Sequence, residues 1–196
     1  MKAVVIYEAG GPEQLIYTDV STPALKEGWS LIKVKGFGIN HSEIFTRKGL
    51  SPTVHFPRIL GIECVGIVGK STDPKLIEGT CVVSIMGEMG RDFDGSYGEY
   101  VLLPNDQIYP IESDLPWAEF ATIPETYYTA YGSMLNLHIE QGMKILVRGA
   151  TSGVGQAFLK LVKGKDPSAY VAGTSRNPLK KDQLLKAGFD EVIIMS

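Results

Sequence analysis

Between residues 144 and 155 an apolar strand-like run, Lys144-Ile-Leu-Val-Arg148, passes directly into Gly149-Ala150-Thr151-Ser152-Gly153-Val154-Gly155 and then into a helical pattern. Glycines in such a turn let the backbone bend sharply and approach a pyrophosphate, and the helix N-terminus presents free N–H groups and a positive dipole end to the phosphates. Ala150, Gly153 and Gly155 give A-x-x-G-x-G rather than the strict G-x-G-x-x-G spacing. The strand-turn-helix context supports dinucleotide binding through Ala150, Thr151, Ser152, Gly153, Val154 and Gly155. The competing reading is a tight strand-to-helix turn with no ligand.

The next strand ends Val171-Ala-Gly-Thr-Ser175-Arg176, with Lys180 one helical turn further on. An NAD site usually places Asp or Glu there for the ribose 2′-hydroxyl, whereas Arg favours a 2′-phosphate. No acid is present, and Ser175, Arg176 and Lys180 can donate to a dianion. The residues therefore predict NADPH as the cofactor. Alternatively, they are an exposed helix start with polar neighbours.

The elements needed to hold these groups fall into two textures. Up to about residue 110, short β-branched runs (2–7, 30–35, 61–69, 80–85 and 97–103) alternate with Gly and Pro. This predicts a barrel-like or sandwich fold. A helix start is expected near Leu115 to Glu119, an interruption at Pro124, and a helix over 126–137. From residue 144 the order is strand 144–147, helix 154–162, strand 170–173, helix 178–187 stopped by Gly188, and strand 191–195, which implies a parallel sheet with helical crossovers. The fold class is α/β overall, with domains expected at 1–118 and 119–196.

The chain has 196 residues, a net charge of −3 and two cysteines, Cys64 and Cys81. There is no basic excess to favour nucleic acid or an anionic membrane. Two cysteines are too few for a disulfide framework, and no run approaches the ~20 apolar residues of a membrane span. A cytoplasmic protein is expected.

Several further segments complete a family pattern: Met1-Lys-Ala-Val-Val5, Gly36-Phe-Gly-Ile-Asn40, Leu60-Gly-Ile-Glu63 with Gly66, Gly95-Ser-Tyr-Gly-Glu-Tyr100-Val, and Thr129-Ala-Tyr131. With the glycine turn, they occur in the order seen in the medium-chain dehydrogenase/reductase superfamily. The chain resembles the zinc-free quinone oxidoreductase-like branch in particular. The resemblance implies an N-terminal GroES-like β-barrel catalytic domain followed by the first half of a Rossmann domain. Zinc-dependent members carry a Cys where Asn40 stands and a His where Ile62 stands; only Glu63 is retained, so no metal is expected. A makeshift site from His41, Glu63 and Cys64 is the alternative.

The resemblance places Asn40 near the nicotinamide side, as the candidate catalytic and cofactor-contacting residue, and Thr129 among the cofactor contacts. The other reading of Asn40 is a helix cap for residues 41–47. No tyrosine follows the Asn40 motif, where Phe45 and Thr46 stand, so no proton donor is assigned. Without a Lewis acid, hydride transfer to a quinone or α,β-unsaturated carbonyl is favoured over alcohol–ketone chemistry. A non-catalytic NADPH-binding sensor or an inactive fragment is the alternative, and a zinc alcohol dehydrogenase the weakest. Three strands from residue 144 make one half of a two-half cofactor domain. These residues alone are therefore expected to turn over poorly and to self-associate as a homo-oligomer.

Overall fold

A computed structural model describes residues 1–195. The chain divides into two compact units, Met1–Glu125 and Thr126–Ser196.

The first unit is built from antiparallel sheets. In chain order its elements are β1 (Lys2–Ile6), β2 (Ile16–Asp19), β3 (Trp29–Gly36), α1 (His41–Arg47), β4 (Arg58–Ile59), β5 (Glu63–Ser71), β6 (Cys81–Ile85), β7 (Tyr100–Pro104), β8 (Tyr109–Pro110) and α2 (Trp117–Phe120). One sheet has the strand order β2-β1-β4 and the other β7-β3-β5-β6-β8. The short strands β2, β4 and β8 are not signalled by the sequence pattern. They pair at edges, where two to four residues are enough to close a register.

Strand β5 is central to the larger sheet, and side chains along a strand alternate between faces. Cys64 and Val68 pack in one apolar cluster with Ile32, Val82 and Leu103. Val65 packs in another with Phe120 and Ala121. A strand buried on both faces loses the alternating pattern of a half-exposed one. Glu63 shares the parity of Val65 and so points away from the Cys64 cluster. Because α2 packs its Phe120 onto Val65, the segment 117–125 stays with the first unit. The boundary between the two compact units therefore falls after Glu125.

The second unit contains most of α3 (Pro124–Asn136), then β9 (Lys144–Val147), α4 (Gly153–Lys165), β10 (Tyr170–Ser175), α5 (Lys181–Ala187) and β11 (Glu191–Ile194). Pro124 begins α3 instead of interrupting the chain, because a missing N–H costs nothing in the first turn of a helix. Residues 178–187 form a 3-10 turn at Pro178–Lys180 followed by α5, and Gly188 ends that helix with φ of 112°. The three strands pair in parallel in the order β11-β10-β9, as the alternating pattern predicts. Ala157, Phe158, Leu159 and Val162 of α4 pack with Val171, Leu184, Phe189 and Val192. Leu146, Ile193 and Met195 remain exposed at 57%, 41% and 41%.

Two glycines make opposite predictions for stability. A Cβ on Gly66 would collide with the Lys33 carbonyl and lie 2.9 Å from Ile32, where β3 and β5 already carry a register shift. Gly66→Ala should lose about 1–3 kcal/mol by overpacking. Gly164, in the last turns of α4, has open space around its added Cβ. Gly164→Ala should gain about 0.5–1 kcal/mol from helix propensity. Urea midpoints of the two variants checks both signs.

Candidate nucleotide turn and buried carboxylate site

The glycine turn is set by its connection to β10. The Gly149 N–H donates to Thr174 Oγ1 at 3.2 Å, and the Ala150 N–H donates to the Thr174 carbonyl at 3.2 Å. Gly149 lies at φ of 71°, a conformation open to glycine at little cost. Ser152 caps α4: its hydroxyl accepts from Gly155 N at 3.0 Å and donates to the Gly149 carbonyl at 2.8 Å. A Cβ on Gly155 would lie 2.7 Å from that same carbonyl. The turn therefore needs glycine there simply to close. The N–H groups of Thr151, Gly153 and Val154 have no hydrogen-bond partner among the described residues. All three residues are exposed, so the start of α4 offers free donors to an anion.

Beside these donors is a cavity of about 550 Å³ lined by Arg148, Gly149, Thr151, Thr174, Ser175 and Arg176, with Met195. The structure thus brings Thr151 together with Ser175 and Arg176. It does not bring Lys180 to Ser175 and Arg176. Lys180 donates to Gln183 Oε1 at 3.1 Å and lines a separate cavity with Thr151 and Gln156. The Ser175 hydroxyl is engaged locally, donating to the Asn177 carbonyl at 3.0 Å and accepting from Asn177 N at 3.1 Å. Donation to a phosphate would require exchanging that bond. Ala150 is fully buried in the core, its N–H given to the Thr174 carbonyl and its own carbonyl accepting from Gln156 Nε2 at 2.6 Å, so neither its side chain nor its backbone is open to a ligand. Thr129 is exposed on α3, where its carbonyl accepts from Ser133 Oγ at 2.9 Å.

In the first unit, Asn40 stands at the N-cap of α1, as one of its two readings expects. Its Nδ2 donates to Glu63 Oε1 at 2.8 Å. Glu63 Oε2 accepts from Glu125 N at 2.8 Å. A second carboxylate, Glu43, accepts from Asn40 N at 2.7 Å, Ile62 N at 3.0 Å and the Tyr97 hydroxyl at 2.6 Å. Glu43 and Glu63 are only 4% and 2% exposed. Burial raises both pKa values above the ordinary carboxylate range, with the hydrogen bonds to each opposing the rise. Burial, followed by the Glu43 contact, likewise pushes the Tyr97 hydroxyl up. Glu43 and Tyr97 were not among the expected site residues. The Asn40-His-Ser-Glu43 spacing, an N-cap followed three residues later by Glu, is the signal for Glu43. Nothing in the sequence marks its partnership with Tyr97.

The alternative metal set does not assemble. His41 is exposed and stacks edge-on against Phe45 at 5.5 Å. Cys64 is buried on the opposite face of β5 from Glu63, and desolvation pushes its thiol up to about 12. Both Glu63 oxygens already accept hydrogen bonds.

The two units define the chain as an α/β protein in which an antiparallel β unit is followed by a strand-glycine turn-helix unit of nucleotide-binding type. Residues 26–113 match the family model described as the alcohol dehydrogenase GroES-like domain. The quinone oxidoreductase of Pongo abelii is 29% identical over 198 residues, covering 98% of this chain and 58% of that protein. The quinone oxidoreductase of Mus musculus is 30% identical over 200 residues, covering 98% and 57%. The solved structure of the quinone oxidoreductase from Coxiella burnetii superposes with a TM-score of 0.89 at 26% identity, covering 98% of this chain and 62% of that one. The chain belongs to the medium-chain dehydrogenase/reductase superfamily, in its quinone oxidoreductase-like branch. It spans less than two thirds of the length of each of these relatives.

The carboxylate pair generates a prediction about pH. A raised folded-state pKa means that protonation favours the folded state. The stability contributed by Glu43 and Glu63 is therefore full below the ordinary carboxylate range and is lost as pH rises through their raised values. Glu63→Gln should flatten this loss between mildly acidic and neutral pH, as read from urea midpoints. Glu43→Gln should also cost about 1–3 kcal/mol, because an amide cannot accept from all three of its donors.

Proposed function

We propose that this chain serves an NADPH-dependent oxidoreductase that transfers hydride to a quinone or an α,β-unsaturated carbonyl without zinc. The observation that carries this reading is the cavity that joins Thr151, one of the three residues with free N–H groups at the glycine turn, to Arg176. Its walls fit a phosphorylated dinucleotide: Gly155 leaves no room for a side chain at the turn, and no carboxylate lines the cavity among the described residues. Thr151, Gly153 and Val154 would hold the pyrophosphate through their backbone donors. Arg176 would hold the 2′-phosphate. The bound cofactor would supply the hydride.

The names of the relatives support the quinone acceptor. The donor set supports the absence of zinc, since Ile62 has no ligating atom and the Asn40 amide is committed to Glu63. That hydrogen bond fixes Asn40 Nδ2 on Glu63. We further propose a cytoplasmic protein that self-associates. The first part is supported by the absence, among the described residues, of a helix long and apolar enough to cross a membrane. The second is supported by the exposed Leu146, Ile193 and Met195 on and beside the parallel sheet.

Two measurements test the reading. In titrations, the chain should bind NADPH more tightly than NADH, and Arg176→Ala should weaken NADPH selectively by about tenfold or more. Equal affinity of the unaltered chain for the two cofactors would overturn the NADPH assignment. Light scattering should give a mass above the 21.4 kDa of one chain, and a monomer at high concentration would remove the self-association proposal.

A further inference from the structure

The cavity at the end of the parallel sheet contains a second guanidinium that the NADPH reading does not use. Arg148 is the residue after β9 and lines the same space as Arg176. Strand pairing explains why the two meet. Val147 is in register with Gly173, so Arg148 continues level with Thr174, and Arg176 follows two residues later, just past the end of β10. The hydrogen bonds from Gly149 and Ala150 to Thr174 continue that registration past the end of β9. Adjacent strands run about 4.8 Å apart, so two long side chains at such diagonal positions share one volume.

Neither arginine has an ion pair or a side-chain hydrogen bond among the described residues. The contrast with Lys163 is instructive. On the same unit, its ammonium is paired with the Asp190 carboxylate at 2.8 Å and donates to the Ala169 carbonyl at 2.6 Å. Two unpaired cations facing one cavity repel each other, and a dianion placed between them relieves that repulsion while accepting charge-assisted hydrogen bonds from both.

We infer that Arg148 and Arg176 together form the 2′-phosphate site of the cofactor, and that Arg148 is a second specificity-determining residue supplied by the first strand of the sheet. This rests on the NADPH reading and goes further by assigning the phosphate two ligands from adjacent strands. A one-ligand site would tolerate loss of Arg148; a two-ligand site would not. Arg148 also adjoins the glycine turn, so the competing role is a contact to the 5′-diphosphate, and the experiment must separate the two phosphates.

Calorimetric titration of the unaltered chain with adenosine 2′,5′-bisphosphate, 5′-AMP and ADP provides that separation. The unaltered chain should prefer the bisphosphate to 5′-AMP. Arg148→Gln should weaken the bisphosphate by about tenfold, the loss of one charge-assisted bond, with 5′-AMP and ADP changed less than about twofold on the same scale. Arg148→Lys should retain part of the preference, since it keeps the charge and loses the planar fork. Circular dichroism melts of both variants show whether the unit remains folded. If Arg148→Gln leaves bisphosphate binding unchanged, or weakens ADP as much as bisphosphate, the inference is overturned while the NADPH reading stands. If the unaltered chain shows no preference for the 2′-phosphate, the NADPH reading itself falls and takes the inference with it.

Discussion

A carboxylate withdrawn from water must be surrounded by donors, and the first unit is organised around two of them. Glu43 and Glu63 lie within a network that ties the N-cap of α1, the segment before β5, the Tyr97 hydroxyl and the start of α3 to one another. Four chain segments far apart in sequence are held by two side chains. A buried charge that loses its donors costs several kcal/mol. The same network orients Asn40, because its Nδ2 donates to Glu63. Gly38 is part of the arrangement too, since a Cβ there would strike the Glu63 carboxylate. The glycine in Gly36-Phe-Gly-Ile-Asn40 thus clears space for the side chain that holds the asparagine.

The second unit solves the complementary problem, leaving donors unsatisfied where a ligand could use them. Thr174 and Ser152 take up the N–H groups that close the turn, while those of Thr151, Gly153 and Val154 remain open at the surface. Gly153 and Val154 stand in the first turn of α4, where backbone donors have no partner within the helix. Positive charge then collects at the ends of β9 and β10, with no acidic side chain in the cavity wall among the described residues.

Much of this was legible in the sequence. The strand, glycine turn and helix of residues 144–165, the parallel order of the last three strands and the stop at Gly188 follow from local rules: side-chain period, glycine conformations and helix ends. The pairing of Ser175 with Asn177 and of Lys180 with Gln183 was not legible, because each depends on where a flexible polar side chain finds its nearest partner. The role of Pro124 differs from the expected interruption for a related reason: proline breaks a helix interior but suits its first turn, and the position of the helix start decides which applies.

By itself the sequence determined the fold class, the two textures of the chain, the family resemblance and the position of the nucleotide turn, since each is written in patterns a few residues long. Tertiary structure alone decided that Glu43 meets Tyr97 across 54 positions, that Glu63 accepts from Glu125 N across 62, and that Arg148 and Arg176 share a cavity. Each of these depends on strand register and on which face of a sheet is buried. Register is set by the sum of many pairings across the sheet, so no single residue or short motif carries it.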